Sequence, residues 1–407
     1  MRVLVSHPTG NQNVRNDLQA FYSSNVLQSY HTCVSYIEGR WYEKILFGPL
    51  KRIKRKTYNK NLESFIYQYP CKEILRQILL AFHLKLPKTL SIDAIYDDLD
   101  KKTASYIDTC FKKISCAYAF EDGALNIFET AKKHEIKCVY NLSSGYWRLK
   151  KKIIDEEREK NKDWSITIRA LNDDRAKLDR KDNEIRLSDL IIVASNFTKK
   201  SLELYPGELP PIVVLPYGFP QINKERKYEN FYSRKIKVLY VGNLSQQKGI
   251  SYMANSLKDL WEEIEMTVVG SKPNISCEEL DKFLEKVTYI NYLPHTLVLD
   301  LMSKSDILIF PSLFDGFGMV VSEAMSQGTP VIASDHSCAT DIITDKYDGW
   351  IVPAGNSNAI NVILKDIIKN KDLIKVYGKR AMEKASKYSW DIYQEKLISA
   401  IRTIDYK

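Results

Sequence analysis

Residues 310–334 read FPSLFDGFGMVVSEAMSQGTPVIAS. An apolar run ends at Phe310. Two glycines, Gly316 and Gly318, follow in a short turn, and glycine lets backbone N–H groups approach a partner closely. A helix is expected to begin near Met319 and to stop at Gly328-Thr329-Pro330, where the next strand starts. Strand, glycine turn, helix and strand make one parallel α/β unit. The first turn of such a helix has open N–H groups and a partial positive charge, which suits a diphosphate. Gly316, Phe317, Gly318, Met319 and Val320 are therefore the backbone candidates for an anion site. Asp315 stands before the helix and Glu323 about one turn inside it. Eight positions apart, both carboxylates can face one cleft, where they would accept hydrogen bonds from neutral hydroxyls. Taken singly, each is as readily a solvated acid on a capped surface helix.

Working outward, the same alternation recurs. Residues 235–241 (KIKVLYV) form a near-continuous apolar run bounded by Gly242, which reads as a strand buried on both faces. Strands are expected at 266–269, 287–290, 307–310 and 330–333 in this half. In the other half they are expected at 2–7, 138–141, 190–194 and 212–215, with helices at 124–133 and 149–160. Two blocks of strand–helix alternation imply an α/β protein with two doubly wound, Rossmann-like domains facing across a cleft. The break falls at Pro216-Tyr217-Gly218-Phe219-Pro220, where prolines and a glycine separate a strand from a charged loop. The expected division is residues 1–217, 218–390, and a terminal helix in 391–407 crossing back to the first domain.

After the strand at 235–241 comes VGNLSQQKGI (241–250). Lys248 precedes Gly249 and a helical stretch, so its ammonium can meet a diphosphate and stabilise charge on a leaving group. A lysine at the surface of a loop is the bland alternative. Gly242 and Asn243 sit beside it. The loop is neither a GxGxxG turn nor a Walker P-loop, which counts against NAD and ATP.

Together these segments resemble the family 4 glycosyltransferases, retaining enzymes of GT-B fold. Residues 315–323 look like that family's E-x7-E region, and 242–249 like its G-x-L-x-x-x-K-G motif. The resemblance covers nearly all of the second domain and is patchy in the first. It implies that Glu323 holds the nucleotide ribose, Asp315 the donor sugar and Lys248 the diphosphate. It also implies retention of configuration, a UDP- or GDP-sugar donor, and catalysis without metal or cofactor. Three positions depart from the pattern. Asp315 stands where glutamate is usual and is about 1.5 Å shorter in reach. Asn243 replaces an arginine. The stretch from Tyr140 to Arg148 lacks the histidine usual near the donor sugar. These departures keep a non-catalytic sugar-nucleotide-binding homologue, or a sugar-nucleotide epimerase of GT-B fold, as alternatives.

In the first half, His7-Pro8-Thr9-Gly10-Asn11 follows the first strand. Gly10 is the donor-side candidate there, by the resemblance. His7, Asn11, Asn13, Glu121, Tyr146 and Arg148 are acceptor-side candidates. No Asp-x-Asp metal pair stands near the motifs; Asp97, Asp98 and Asp100 lie well before them.

Composition sets the frame. A chain of 407 residues suits two domains of about 200 each. Seven scattered cysteines without a CxxC pair argue against a disulfide framework or a zinc site and suit a reducing cytoplasm. No apolar run approaches the roughly 18 residues of a membrane helix, and residues 1–5 run into a strand pattern without a signal-peptide h-region, so synthesis without export is expected. The net charge of +9 comes without a nucleic-acid motif, so nucleic acid is not an expected partner. Residues 40–60 (RWYEKILFGPLKRIKRKTYNK) mix basic with aromatic and aliphatic side chains, as suits the headgroups of an anionic membrane. The setting expected is the cytoplasm, with the segment either a peripheral contact at the inner face of the cell membrane or a solvated loop and helix. The acceptor expected is a glycan or lipid-linked glycan of bacterial surface polysaccharide synthesis, with a soluble acceptor as the rival.

Overall fold

The computed structural model describes residues 1–39, 57–168, 173–228 and 231–404. Its strands in chain order are β1 (Val3–Ser6), β2 (Leu27–Thr32), β3 (Ile66–Gln68), β4 (Cys116–Phe120), β5 (Lys137–Leu142), β6 (Leu190–Val193) and β7 (Ile212–Val214) in the first half. The second half holds β8 (Ile236–Val241), β9 (Ile264–Val269), β10 (Thr288–Ile290), β11 (Ile307–Phe310), β12 (Val331–Ser334) and β13 (Trp350–Val352). They form a seven-stranded sheet ordered β3-β2-β1-β4-β5-β6-β7 and a six-stranded sheet ordered β10-β9-β8-β11-β12-β13. Every pairing between these strands is parallel. Central strands such as β1 (VLVS) and β11 (ILIF) are wholly buried, because helices cover both faces of a parallel sheet.

In each sheet the strand order reverses once, between β1 and β4 and between β8 and β11. The crevice outside the carboxyl ends of the strands at such a reversal is where open α/β sheets bind ligands. The 242–248 and 311–318 loops follow β8 and β11, so both stand at the second reversal.

The crossing between domains is pinned by aromatic packing. Tyr217 is buried, with its ring centroid 5.0 Å from Phe317 and 5.9 Å from Tyr393. The Phe219 amide donates to the Tyr388 carbonyl at 2.7 Å. At Gly218 a Cβ would lie 2.5 Å from the Trp390 ring, so this position admits only glycine without a shift. The last helix, Trp390–Arg402, packs on the helix Gln12–Ser23 of the first domain. Tyr393 Oη donates to Asp17 Oδ1 at 2.7 Å, and Gln394 Nε2 to Asn16 Oδ1 at 3.1 Å. All seven cysteines are free thiols. No described helix is long and apolar enough to cross a membrane. The basic and aromatic stretch proposed for membrane contact, residues 40–60, lies mostly outside the described residues.

Candidate functional site

Two loops are fastened to each other at the carboxyl edge of the second sheet. The Leu313 amide donates to the Gln247 carbonyl at 2.9 Å. Gly249 has φ +71°, and a Cβ there would meet the Pro311 carbonyl oxygen at 2.0 Å. Glycine is thus required both by the left-handed backbone and by the approach of the other loop. This contact brings Lys248 beside Asp315, and their side chains form a direct ion pair. Both are partly screened from water, with side-chain exposures of 25% and 18%. Asp315 Oδ1 also accepts from the Phe317 amide at 3.3 Å.

The helix Met319–Ser326 begins at Gly318, whose φ of +89° places it in the left-handed region, and no side chain caps it. Met319 and Val320 are half-buried at its start. Glu323, one turn in, is 8% exposed. Its Oε1 is 2.9 Å from His295 Nε2, and this hydrogen bond, aided by the negative charge, raises the pKa of His295 against the opposing effect of burial. The sequence reading did not single out His295. It opens the helix His295–Lys304 and lies 28 positions before Glu323, so only the fold makes them neighbours.

Gly316 has a different reason from the one its sequence suggested. A Cβ there would lie 2.2 Å from the Ser143 carbonyl oxygen of the first domain. Its own carbonyl accepts from Ser195 Oγ at 2.6 Å and Thr198 Oγ1 at 2.9 Å. It is a seam between domains. The Phe317 ring is buried against Tyr217, its amide donates to Asp315, and its carbonyl accepts from the Cys338 amide at 2.8 Å. At the end of β8, the Gly242 amide continues the sheet by donating to the Val269 carbonyl at 2.9 Å. Asn243 Oδ1 accepts from Ser271 Oγ at 2.9 Å.

The first-domain candidates fare unevenly. Gly10 has φ +59°, yet its N–H is already spent on His7 Nδ1 at 2.8 Å, and Tyr58 Oη fills the place a Cβ would take. It is not an open phosphate donor. His7 accepts from both Thr9 and Gly10 amides through Nδ1, which puts its neutral-form proton on Nε2. Buried edge-on against Phe120 at 4.6 Å, it organises the turn. Asn11 caps the helix Gln12–Ser23 by accepting from the Val14 amide at 3.0 Å. Asn13, in that helix, is half-buried. Glu121 is held by Lys181 Nζ at 2.7 Å and Ser144 Oγ at 2.6 Å. Tyr146 is 1% exposed and donates to Asp182 at 2.6 Å, while Arg148 Nη2 reaches the same carboxylate at 2.6 Å. These two build a structural knot around Asp182, with Tyr146 buried and Arg148 keeping 30% of its side chain exposed. Asp97 and Asp100 pair with Arg180, and Asp98 with Lys72 and Lys102. Among the described residues no cluster of His, Cys, Asp or Glu has the arrangement of a metal site.

A second bridge joins the domains. Glu157, on the first-domain helix Trp147–Lys160, accepts from Gln246 Nε2 at 2.6 Å and from Tyr252 Oη at 2.8 Å. Next to it lies a cavity of about 290 Å³ lined by Lys150 and Thr167 from the first domain and by Asn243, Gln247, Lys248 and Lys272 from the second.

Two facing parallel sheets with reversal points, joined by a short crossing and a returning helix, define the GT-B class of α/β proteins. Comparison with known proteins agrees. Residues 221–384 match the family described as Glycosyl transferases group 1, so the second half of the chain is similar to that group. An uncharacterized glycosyltransferase of Methanocaldococcus jannaschii is 29% identical over 227 residues, which are 53% of this chain and 59% of the relative. The capsular polysaccharide biosynthesis glycosyltransferase CapM of Staphylococcus aureus is 26% identical over 234 residues, 53% of this chain and 62% of the relative. The match thus spans less than two thirds of either relative. The crystal structure of Anabaena HepE in complex with UDP has the same fold, with a TM-score of 0.65 at 14% identity, covering 99% of this chain and 100% of that one.

Proposed function

We propose that this chain is a retaining glycosyltransferase that moves a hexosyl group from a UDP- or GDP-sugar to a hydroxyl of a glycan or lipid-linked acceptor in bacterial surface polysaccharide synthesis. The observation that carries the reading is the Lys248–Asp315 pair beside the uncapped start of the helix Met319–Ser326, with Glu323 buried one turn inside. Lysine and helix start suit a diphosphate; the two acids suit the hydroxyls of sugar and ribose. In the proposed reaction the bond from the anomeric carbon to the diphosphate oxygen breaks. The acceptor oxygen bonds to the same face of that carbon. The acceptor proton passes to the departing diphosphate, so no carboxylate nucleophile is needed. The UDP complex of HepE and the capsular role in CapM's name support donor and setting by analogy.

Metal independence, implied by the family resemblance, belongs to this proposal and is tested by activity in excess chelator. So does a cytoplasmic location at the membrane face. Leu75, Leu80, Phe82 and Leu84 are exposed on and just after the helix Cys71–Ala81, an apolar surface that supports membrane contact; sedimentation with anionic vesicles tests it. The main experiment is a panel of UDP- and GDP-sugars, first by thermal shift and then with pooled glycan and lipid-linked acceptors. A raised Tm with one donor and transfer of its sugar is expected. Binding of no donor would refute the reading; tight binding with neither transfer nor hydrolysis would favour the non-catalytic homologue, and donor isomerisation without acceptor the epimerase.

A further inference from the structure

The cavity between the domains is lined by three lysines, and they are not equivalent. Lys248 is paired with Asp315 and Lys272 with Asp281. Lys150 reaches the same cavity from the first turn of the first-domain helix Trp147–Lys160. Among the described residues its ammonium has no hydrogen-bond or ion-pair partner. The carboxylates whose charge it feels, Glu121 and Asp173, are engaged elsewhere: Glu121 with Lys181 and Ser144, and Asp173 with Lys177 at 2.9 Å. A half-buried ammonium without a counter-charge is unfavourable. Burial lowers its pKa, and the like charges of Lys181 and Lys248 add to this against the pull of Glu121 and Asp173.

Resting on the glycosyltransferase reading, we propose that Lys150 binds the donor diphosphate opposite Lys248, so that the nucleotide is clamped by one cation from each domain. A diphosphate ester carries two or more negative charges, and Lys248 is already shared with Asp315. Asn243 contributes an amide and no charge. Lys150 supplies the missing positive charge on the opposite wall of the same cavity. The helix that carries it is tied to the second domain through Glu157, Gln246 and Tyr252, which holds the base of the Lys150 side chain at the cleft.

The test measures affinity by calorimetry for UDP, GDP, uridine and guanosine with the full chain, using Lys150→Met and Lys150→Arg. A charge-assisted contact to phosphate predicts that Lys150→Met weakens binding of the preferred nucleoside diphosphate by about 10- to 100-fold. Nucleoside affinity should hold, the ligand-free Tm should hold or rise, and Lys150→Arg should restore most of the loss. Rising salt should weaken the wild type more than the Met variant. Unchanged diphosphate affinity in Lys150→Met overturns the assignment and leaves the function standing, as does a raised acceptor KM alone. An equal loss for nucleoside and diphosphate also overturns it, by making the role structural. A wild-type chain that binds neither UDP nor GDP overturns the assignment and the function together.

Discussion

The Lys248–Asp315 pair yields the sharpest quantitative test. At 4 Å two unit charges attract by about 1 kcal/mol in water and about 4 kcal/mol at an effective dielectric of about 20. With one fifth to one quarter of each side chain exposed, the pair lies between these limits, and desolvation and side-chain ordering offset part of the gain. A net coupling of about 1–2 kcal/mol is expected. Lys248→Met and Asp315→Asn should each lower the ligand-free Tm by about 2–8 °C, at about 2–4 °C per kcal/mol for a domain of this size. The double variant should lose less than the sum, with the difference equal to the coupling. Binding separates the two residues. Lys248→Met should weaken the nucleoside diphosphate and slow transfer by about 2–4 kcal/mol, as for a lost oxyanion donor. Asp315→Asn should do the opposite to the bare diphosphate: it removes a like charge and releases Lys248, so UDP or GDP should bind severalfold tighter while sugar transfer falls. Zero coupling in the cycle, together with an Asp315→Asn variant whose nucleotide affinity is unchanged, would refute this account of the pair.

Three further outcomes are expected. Glu323→Gln should weaken nucleotide binding by about 10- to 100-fold by losing charge-assisted contacts to hydroxyls. It should also flatten the pH profile of stability, because His295 is raised by Glu323: that contribution is full below the unfolded pKa of about 6.5 and fades as pH rises through the folded value. Gly249→Ala should cost about 2–3 kcal/mol by thermal denaturation, through the left-handed backbone and the 2.0 Å approach of the Pro311 carbonyl oxygen; an unchanged Tm would show that the two loops are not locked. Asp17 is fully buried, and burial raises its carboxyl to about 7 against the hydrogen bonds of Tyr393 and Tyr118. Its folded form keeps a proton that the unfolded form loses near pH 4, so wild-type stability should fall between about pH 4 and 7, by at most about 4 kcal/mol. Asp17→Asn should remove that slope in pH-dependent melting curves.

What the sequence made legible was local. β8, β11 and β12 are apolar runs closed by glycine or proline, and their buried parallel setting demands such runs. The motif residues Lys248, Asp315 and Glu323 come to the carboxyl edge of the second sheet because turn and helix signals lie beside those strands. β2 was missed, since LQSYHT mixes polar and apolar residues and carries a histidine and hydroxyls buried with specific partners, such as His31 with Tyr69 and Ser29. The three-residue strands β3 and β13 are too short to carry a clear pattern, and for several site residues the deciding partner sits far away in sequence. Tyr146 and Arg148 look like free recognition groups until Asp182, 36 and 34 positions on, occupies them. Gly10 looks like an open turn until His7 and Tyr58 close on it. Gly316 reads as room for a ligand, and the Ser143 carbonyl of the other domain takes that room instead. Local pattern specifies where a strand or turn falls, whereas the spending of each polar group is decided by tertiary neighbours.

The ion pair also orders events on the proposed reading. Lys150 and Lys248 line one cavity, and Asp315 is the internal counter-charge to Lys248. An arriving diphosphate brings more negative charge than a single carboxylate and can engage both ammonium groups, so it competes for Lys248 on favourable terms. Asp315, released from the lysine, then has acceptor capacity for the sugar hydroxyls of the same donor. A free sugar offers no charge with which to displace Asp315 from Lys248 and should find the acid occupied. Diphosphate recognition thus becomes a precondition for sugar recognition, through a single exchange of partners at Lys248. The usual glutamate, one methylene longer, would reach past the lysine more easily. On this logic Asp315→Glu should loosen the requirement: free hexose should protect the variant against thermal unfolding without nucleotide, where it leaves the wild type unprotected. Equal protection of both by free hexose would sever the link between the ion pair and the order of binding.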